Sequence, residues 1–109
     1  MDINLSKDAD RLLCLLYKSY LEKRKEGLSK NESRMFGGSD DIQASFLPLQ
    51  SVADVDETCR ELDRSGCAVV HYADDVAYLV VLSDAAIILM ENRFKNGLMG
   101  VVDFIAKFF

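Results

Sequence analysis

Between Ser83 and Phe109 the chain carries an apolar stripe that constrains the fold more than any other stretch. Ser83 can accept a hydrogen bond from an orphan amide in a first helical turn, and Asp84 puts a negative charge at the positive end of the helix dipole. Ile87, Met90, Phe94, Leu98, Val101, Ile105 and Phe108 then recur at steps of three and four, which aligns them on one helical face. A second row, Ile88, Met99, Val102, Ala106 and Phe109, lies beside the first. The spacing predicts one long amphipathic helix over 83–109, rising roughly 1.5 Å per residue. A domain of 109 residues has too little other surface to cover both rows. Part of the helix is therefore expected to meet a second chain, and the competing expectation is a helix that bends back over its own hairpin. Gly97 and Gly100 bear on that choice. Each costs about 1 kcal/mol relative to Ala inside a helix, so they mark a kink or the close approach of another backbone.

Chain length fits a single domain, and a hydrophobic content of 50% supplies a core and argues against disorder. No run of 18 apolar residues occurs, which excludes a helical membrane span. The opening residues MDINLSKDAD have neither the basic nor the apolar region of a secretory signal, so a cytoplasmic location is expected. Cys14, Cys59 and Cys67 are odd in number and sit among apolar neighbours. Reduced, buried, structural thiols are expected.

Upstream of the stripe the pattern is mainly helical. A first helix is expected over 6–26, capped by Ser6, with Leu5, Ala9, Leu12, Leu13, Leu16, Tyr20 and Leu21 on its broad face and Gly27 as its stop. Ser29 and Glu32 form a capping box that opens a short helix to about 36, anchored by Met35 and Phe36 and ended by Gly37-Gly38. Residues 39–50 read as a connector in which Pro48 holds its predecessor extended. Ser51 begins a third helix, with Val52, Val55, Cys59 and Leu62 buried, Asp54, Asp56, Glu57, Arg60, Glu61, Asp63 and Arg64 exposed, and Gly66 as its end. Two strands follow, Cys67–Ala73 and Val76–Leu82, joined by a two-residue Asp74-Asp75 turn that pairs Ala73 with Val76 and His71 with Tyr78. Neither face of that hairpin is polar, so cover on both sides is expected.

The order helix, helix, helix, hairpin, helix resembles a winged-helix domain. The segment LSDAAIILMENRF, entering the last helix directly from the second strand, resembles small winged-helix proteins of Gram-positive bacteria and their phages, such as the YjcQ-like group. The fold class expected is therefore α+β, mainly helical: a winged helix-turn-helix with three N-terminal helices, a β-hairpin wing and a long C-terminal helix. Residues 1–82 would form the winged-helix domain and 83–109 a dimerisation element of the same domain. The resemblance implies a recognition helix at 51–65, DNA binding by a transcriptional regulator, and a homodimer. The dimer interface would comprise Ile87, Met90, Phe94, Leu98, Val101, Phe104, Ile105 and Phe108.

Charge is unevenly placed along the chain. Residues 37–82 carry two Arg against nine Asp/Glu, whereas residues 1–36 carry eight Lys/Arg against six Asp/Glu. DNA binding requires cations that displace counterions from phosphates. The basic groups for that role are Lys23, Arg24, Lys25, Lys30 and Arg34 around the junction of the first two helices, with Arg60 and Arg64 on the third. Five carboxylates on the third helix and the Asp74-Asp75 tip oppose a duplex. The alternative is a dimeric protein-interaction module whose acidic face meets a basic or nucleic-acid-binding partner. Catalysis is not expected. His71 is the single histidine, no cysteines stand at metal-ligand spacing, and Gly37-Gly38 lacks the Lys-Ser/Thr of a phosphate loop. The pairs Asp40-Asp41 and Asp74-Asp75 read as turn residues that bond local backbone, and no cofactor is implied.

Overall fold

A computed structural model describes residues 4–109. Helix α1 (Lys7–Lys25) begins where Ser6 Oγ accepts from the Ala9 amide at 3.2 Å and ends before Gly27, whose φ of +98° an L side chain rarely adopts. Its Ala9, Leu12, Leu13, Cys14, Leu16, Tyr17 and Tyr20 are buried, so α1 is the central element of the core. Helix α2 (Lys30–Ser33) is a single turn opened by Ser29, whose hydroxyl accepts from the Glu32 amide at 3.1 Å.

The helix expected to run on to 36 stops at Ser33. Met35–Phe36 forms a short strand, β1, antiparallel to a later one. The connector expected at 39–50 contains helix α3 (Ser39–Phe46). Asp40 and Asp41, which suggested a turn, stand in its first turn and complement the dipole, and Asp41 accepts from the Gly38 amide at 3.3 Å. Ile42 is buried, and the Phe46 ring meets the edge of Phe36 at 5.9 Å.

Helix α4 (Val52–Arg64) packs against α1 and α3 through Val55, Thr58, Cys59 and Leu62. Val52, expected inside, is exposed; Thr58 takes a buried position and satisfies its hydroxyl by donating to the Asp54 carbonyl at 3.0 Å. Strands β2 (Ala68–Ala73) and β3 (Val76–Leu82) complete an antiparallel sheet of order β1-β3-β2. Asp74 and Asp75 both have positive φ, 52° and 64°, as a two-residue hairpin turn of the primed type requires.

The hairpin departs from expectation in register and in cover. Ala73 faces Val76, but His71 faces Leu79 and not Tyr78. Tyr78 is the additional residue of a β-bulge, which reverses the alternation of β3 below it. Ala68, Val70, Ala77, Val80 and Leu82 consequently share the buried face. The other face stays open, with Val69, Val76, Tyr78 and the neighbouring Met35 exposed. The sheet is thus covered on one side, by α3 and α4.

The single long helix over 83–109 is also corrected. Helix α5 (Asp84–Arg93) ends at Phe94, and helix α6 (Leu98–Phe108) starts after Gly97 at φ +65°. Arg93 forks onto Asp10 at 2.6 and 3.1 Å, Phe94 stacks on Tyr17 at 6.4 Å, and Phe104 meets Phe94 at 5.4 Å. These contacts turn α6 back onto α1, with Val101 fully buried. The expected bend does occur, but over α1 and not over the hairpin. Among the described residues no helix is long and apolar enough to cross a membrane.

Candidate macromolecule-binding face

The outward side of α4 and the hairpin tip are held together by one carboxylate. Asp56 Oδ1 accepts from Ser39 Oγ at 2.6 Å and from the Ala77 amide at 3.0 Å, while Oδ2 accepts from Arg60 Nε at 2.8 Å. Burial acts to raise its pKa, but the hydrogen bonds from Ser39, Arg60 and Ala77 outweigh it and hold the carboxyl below its ordinary value. The sequence placed Asp56 on the exposed side of its helix. Its bonds to Ser39 and Ala77 span 17 and 21 residues, and no local pattern signals them.

Arg60 continues the link. Its guanidinium donates to the Asp75 carbonyl at the hairpin tip and lies 4.7 Å from the Tyr72 ring centroid. Tyr72 in turn donates to Asp63 at 2.8 Å; burial and then the Asp63 carboxylate push its phenol up to about 12. Arg64 pairs with Glu57 at 3.6 Å. Both arginines of α4 are therefore engaged with acidic or carbonyl oxygens of the same chain.

Beside them lies an open cleft of about 480 Å³ between the start of α1 and α4, lined by Asp8, Asp54, Glu57 and Glu61 with Ser6, Gln50 and Thr58. Glu61 accepts from the amide and hydroxyl of Ser6, each at 2.7 Å, and these two bonds hold its carboxyl below the usual range. Asp8, Asp54 and Glu57 remain exposed. Among the described residues, four carboxylates and no cation line this recess.

The basic junction is largely occupied, and Arg24, Lys30 and Arg34 gather around Asp84. Lys23 donates to the Met35 carbonyl at 3.1 Å and sits 4.3 Å over the Phe36 ring; burial lowers its pKa. Arg24 donates to the Leu28 carbonyl at 3.1 Å. Lys30 lies 3.6 Å from Asp84, and Arg34 reaches the same carboxylate at 2.5 Å and the Leu82 carbonyl at 2.9 Å. The bond from Arg34 holds Asp84 below its ordinary pKa. Lys25 is exposed and, among the described residues, has no ion pair. Arg34 is anchored at the base of the hairpin and Arg60 at its tip, on the order of 20 Å apart along β3. The seven residues do not form one basic patch.

The residues expected at a dimer interface divide. Ile87, Met90, Phe94 and Val101 belong to the core of the single chain. Leu98, Phe104 and Ile105 pack partly against that core, and Phe108 is 58% exposed. The three thiols are free and buried, and burial pushes Cys14 up to about 12 and Cys59 up to about 11. His71 lies on the open face of β2, its ring 6.2 Å from that of Tyr78. Comparison with protein-family models, curated proteins and solved structures finds no match for this chain.

Proposed function

We propose that the chain is a small winged-helix domain that acts by binding a protein, and that its acidic α4 cleft takes Lys and Arg side chains of that partner. The winged-helix assignment is supported by topology. A short strand follows the first helices, a helix pair comes next, and a hairpin closes a sheet of order β1-β3-β2. In that frame α3 and α4 are the helix-turn-helix and α4 stands in the recognition position. The observation that carries the functional part is the cleft lined by Asp8, Asp54, Glu57 and Glu61 on that helix, flanked by arginines already paired within the chain. Duplex DNA carries a negative charge every 1.7 Å or so, and such a surface repels it.

DNA binding is the second reading, and it has its own support: Lys23, Arg24 and Lys25 crowd the last turn of α1, and Lys25 has no ion pair among the described residues. A DNA regulator built this way would contact the backbone through the α1–α2 junction and not through α4. Fluorescence anisotropy at low salt separates the two readings. An Arg-rich peptide should bind, lose affinity with added salt, and lose most of it in the Asp54→Asn, Glu57→Gln variant. Tighter binding to a random-sequence duplex, or retention on heparin, would reverse the order of the readings.

A further inference from the structure

We propose that the basic partner segment also carries one apolar anchor, a side chain of Leu or Phe size that seats against Leu49 beside the acidic cleft. The inference rests on the cleft taking a basic partner, and it adds what that partner must carry next to its Lys and Arg.

The turn between α3 and α4 is built to hold Leu49 in water. Residues 47–50 form a β-turn closed by the Gln50 amide, which donates to the Leu47 carbonyl at 3.0 Å. Pro48, at the second position, fixes its own φ. The Gln43 side-chain amide clamps the turn from α3. It donates to the Pro48 carbonyl at 3.3 Å and to the Gln50 carbonyl at 2.9 Å, on either side of Leu49. Leu49 itself is 100% exposed. Turns favour Gly, Asn, Asp and Ser, so a Leu here serves neither the turn nor the core. Single exposed leucines are common on protein surfaces. This one differs in being rigidly held and in having an apolar pocket at its side.

That pocket, of about 150 Å³, is lined by Phe46, Leu47, Pro48 and Leu49 with Arg11 and Gln50. Leu47 is buried and the Phe46 ring is braced on Phe36, so these walls are preformed. A closed apolar cavity of similar volume holds a benzene ring, which sets the size of the anchor. Gln50 lines the acidic cleft as well, so pocket and cleft adjoin. Asp54, Glu57 and Glu61 then follow along α4 over roughly 10 Å, at about 1.5 Å per residue. Arg11 lies one helical turn beyond Asp8 on α1 and lines the pocket, where it disfavours a second cation. Charge therefore orders the occupant: an apolar residue at the turn, and Lys or Arg on the α4 side of it.

Fluorescence anisotropy with labelled oligo-arginine peptides tests the anchor. One peptide carries Leu at its start, one carries Leu at its end, and one has Ala in its place. The better Leu peptide should bind about tenfold more tightly than the Ala peptide, as burial of one Leu side chain provides. Added salt should weaken both and preserve their ratio, because apolar burial is not screened. Leu49→Ser, a change at a fully exposed site, should abolish the ratio and leave the affinity of the Ala peptide unchanged. Asp54→Asn with Glu57→Gln should weaken all three peptides and keep the ratio. Equal binding of the Leu and Ala peptides would overturn the anchor while leaving the cleft reading in place, as would a ratio that survives Leu49→Ser. Binding by none of the peptides would refute the cleft reading and the anchor with it. Self-association at about 100 µM that Leu49→Ser abolishes would give the turn to a second copy of this chain and overturn the proposal.

Discussion

Removing the Asp56 carboxylate should cost more than its partial exposure suggests. Asp56→Ala deletes three charge-assisted hydrogen bonds at once and leaves the fully buried Ser39 hydroxyl and the Ala77 amide without their acceptor. Bonds to charged groups are worth about 1.5–3 kcal/mol each, but Arg60 keeps other partners and water reaches part of the site. The expected loss is about 3 kcal/mol, which for a domain of this size lowers Tm by on the order of 12–20 °C. Asp56→Asn retains one acceptor oxygen and should lose about half as much. Urea unfolding with an unchanged m-value is the assay. The pH dependence adds a second check. The folded-state pKa of Asp56 is depressed, so its contribution is fully present above the unfolded value near 4 and is lost as pH falls through the folded one. The wild-type advantage over Asp56→Asn should therefore shrink steadily below about pH 4. A loss under about 1 kcal/mol for Asp56→Ala at neutral pH, or an advantage independent of pH, would refute the reasoning.

Gly97→Ala should destabilise by about 1–3 kcal/mol through backbone strain alone, because at φ +65° an added methyl meets nothing within 4 Å. Gly100→Ala should be neutral or stabilising by up to about 1 kcal/mol, since its nearest neighbour would lie at an ordinary 3.5 Å; thermal melts of the pair would show the contrast. Cys14, Cys59 and Cys67 should react with a thiol reagent only on unfolding, and rapid labelling of all three in native buffer would contradict their placement. Arg60→Ala should loosen the hairpin tip, speeding amide exchange around Asp75, and should leave the salt slope of any nucleic-acid binding unchanged; a flatter slope would place Arg60 on a phosphate.

Helix ends were the most legible part of the fold. Ser6, Ser29, Ser51 and Ser83 all cap as their spacing implies, and Gly27 and Gly66 terminate α1 and α4 at positive φ. These are local devices, written within a few residues. The hidden features depend on distant partners. Met35-Phe36 is a strand only because β3 lies beside it. The stripe from Ile87 to Phe108 keeps helical spacing across the break, so periodicity could not show that Phe94 leaves the helix to meet Tyr17. Counting charges foresaw the acidic α4 surface. It could not foresee that Arg34, Arg60 and Arg64 would each be held by an oxygen of their own chain, which is what weakens the duplex reading.

The docking of α6 on α1 bears on how the domain is made. Chain synthesis delivers α1 early and α6 last among the described elements, so the apolar face of α1 emerges long before one of its principal covers exists. Closing this contact spans most of the chain, and such non-local closures are slow relative to local ones. A nascent chain stalled before Leu98 would therefore hold α1 and the open sheet face exposed together. During that interval a newborn copy is most prone to wrong association and to capture by a chaperone.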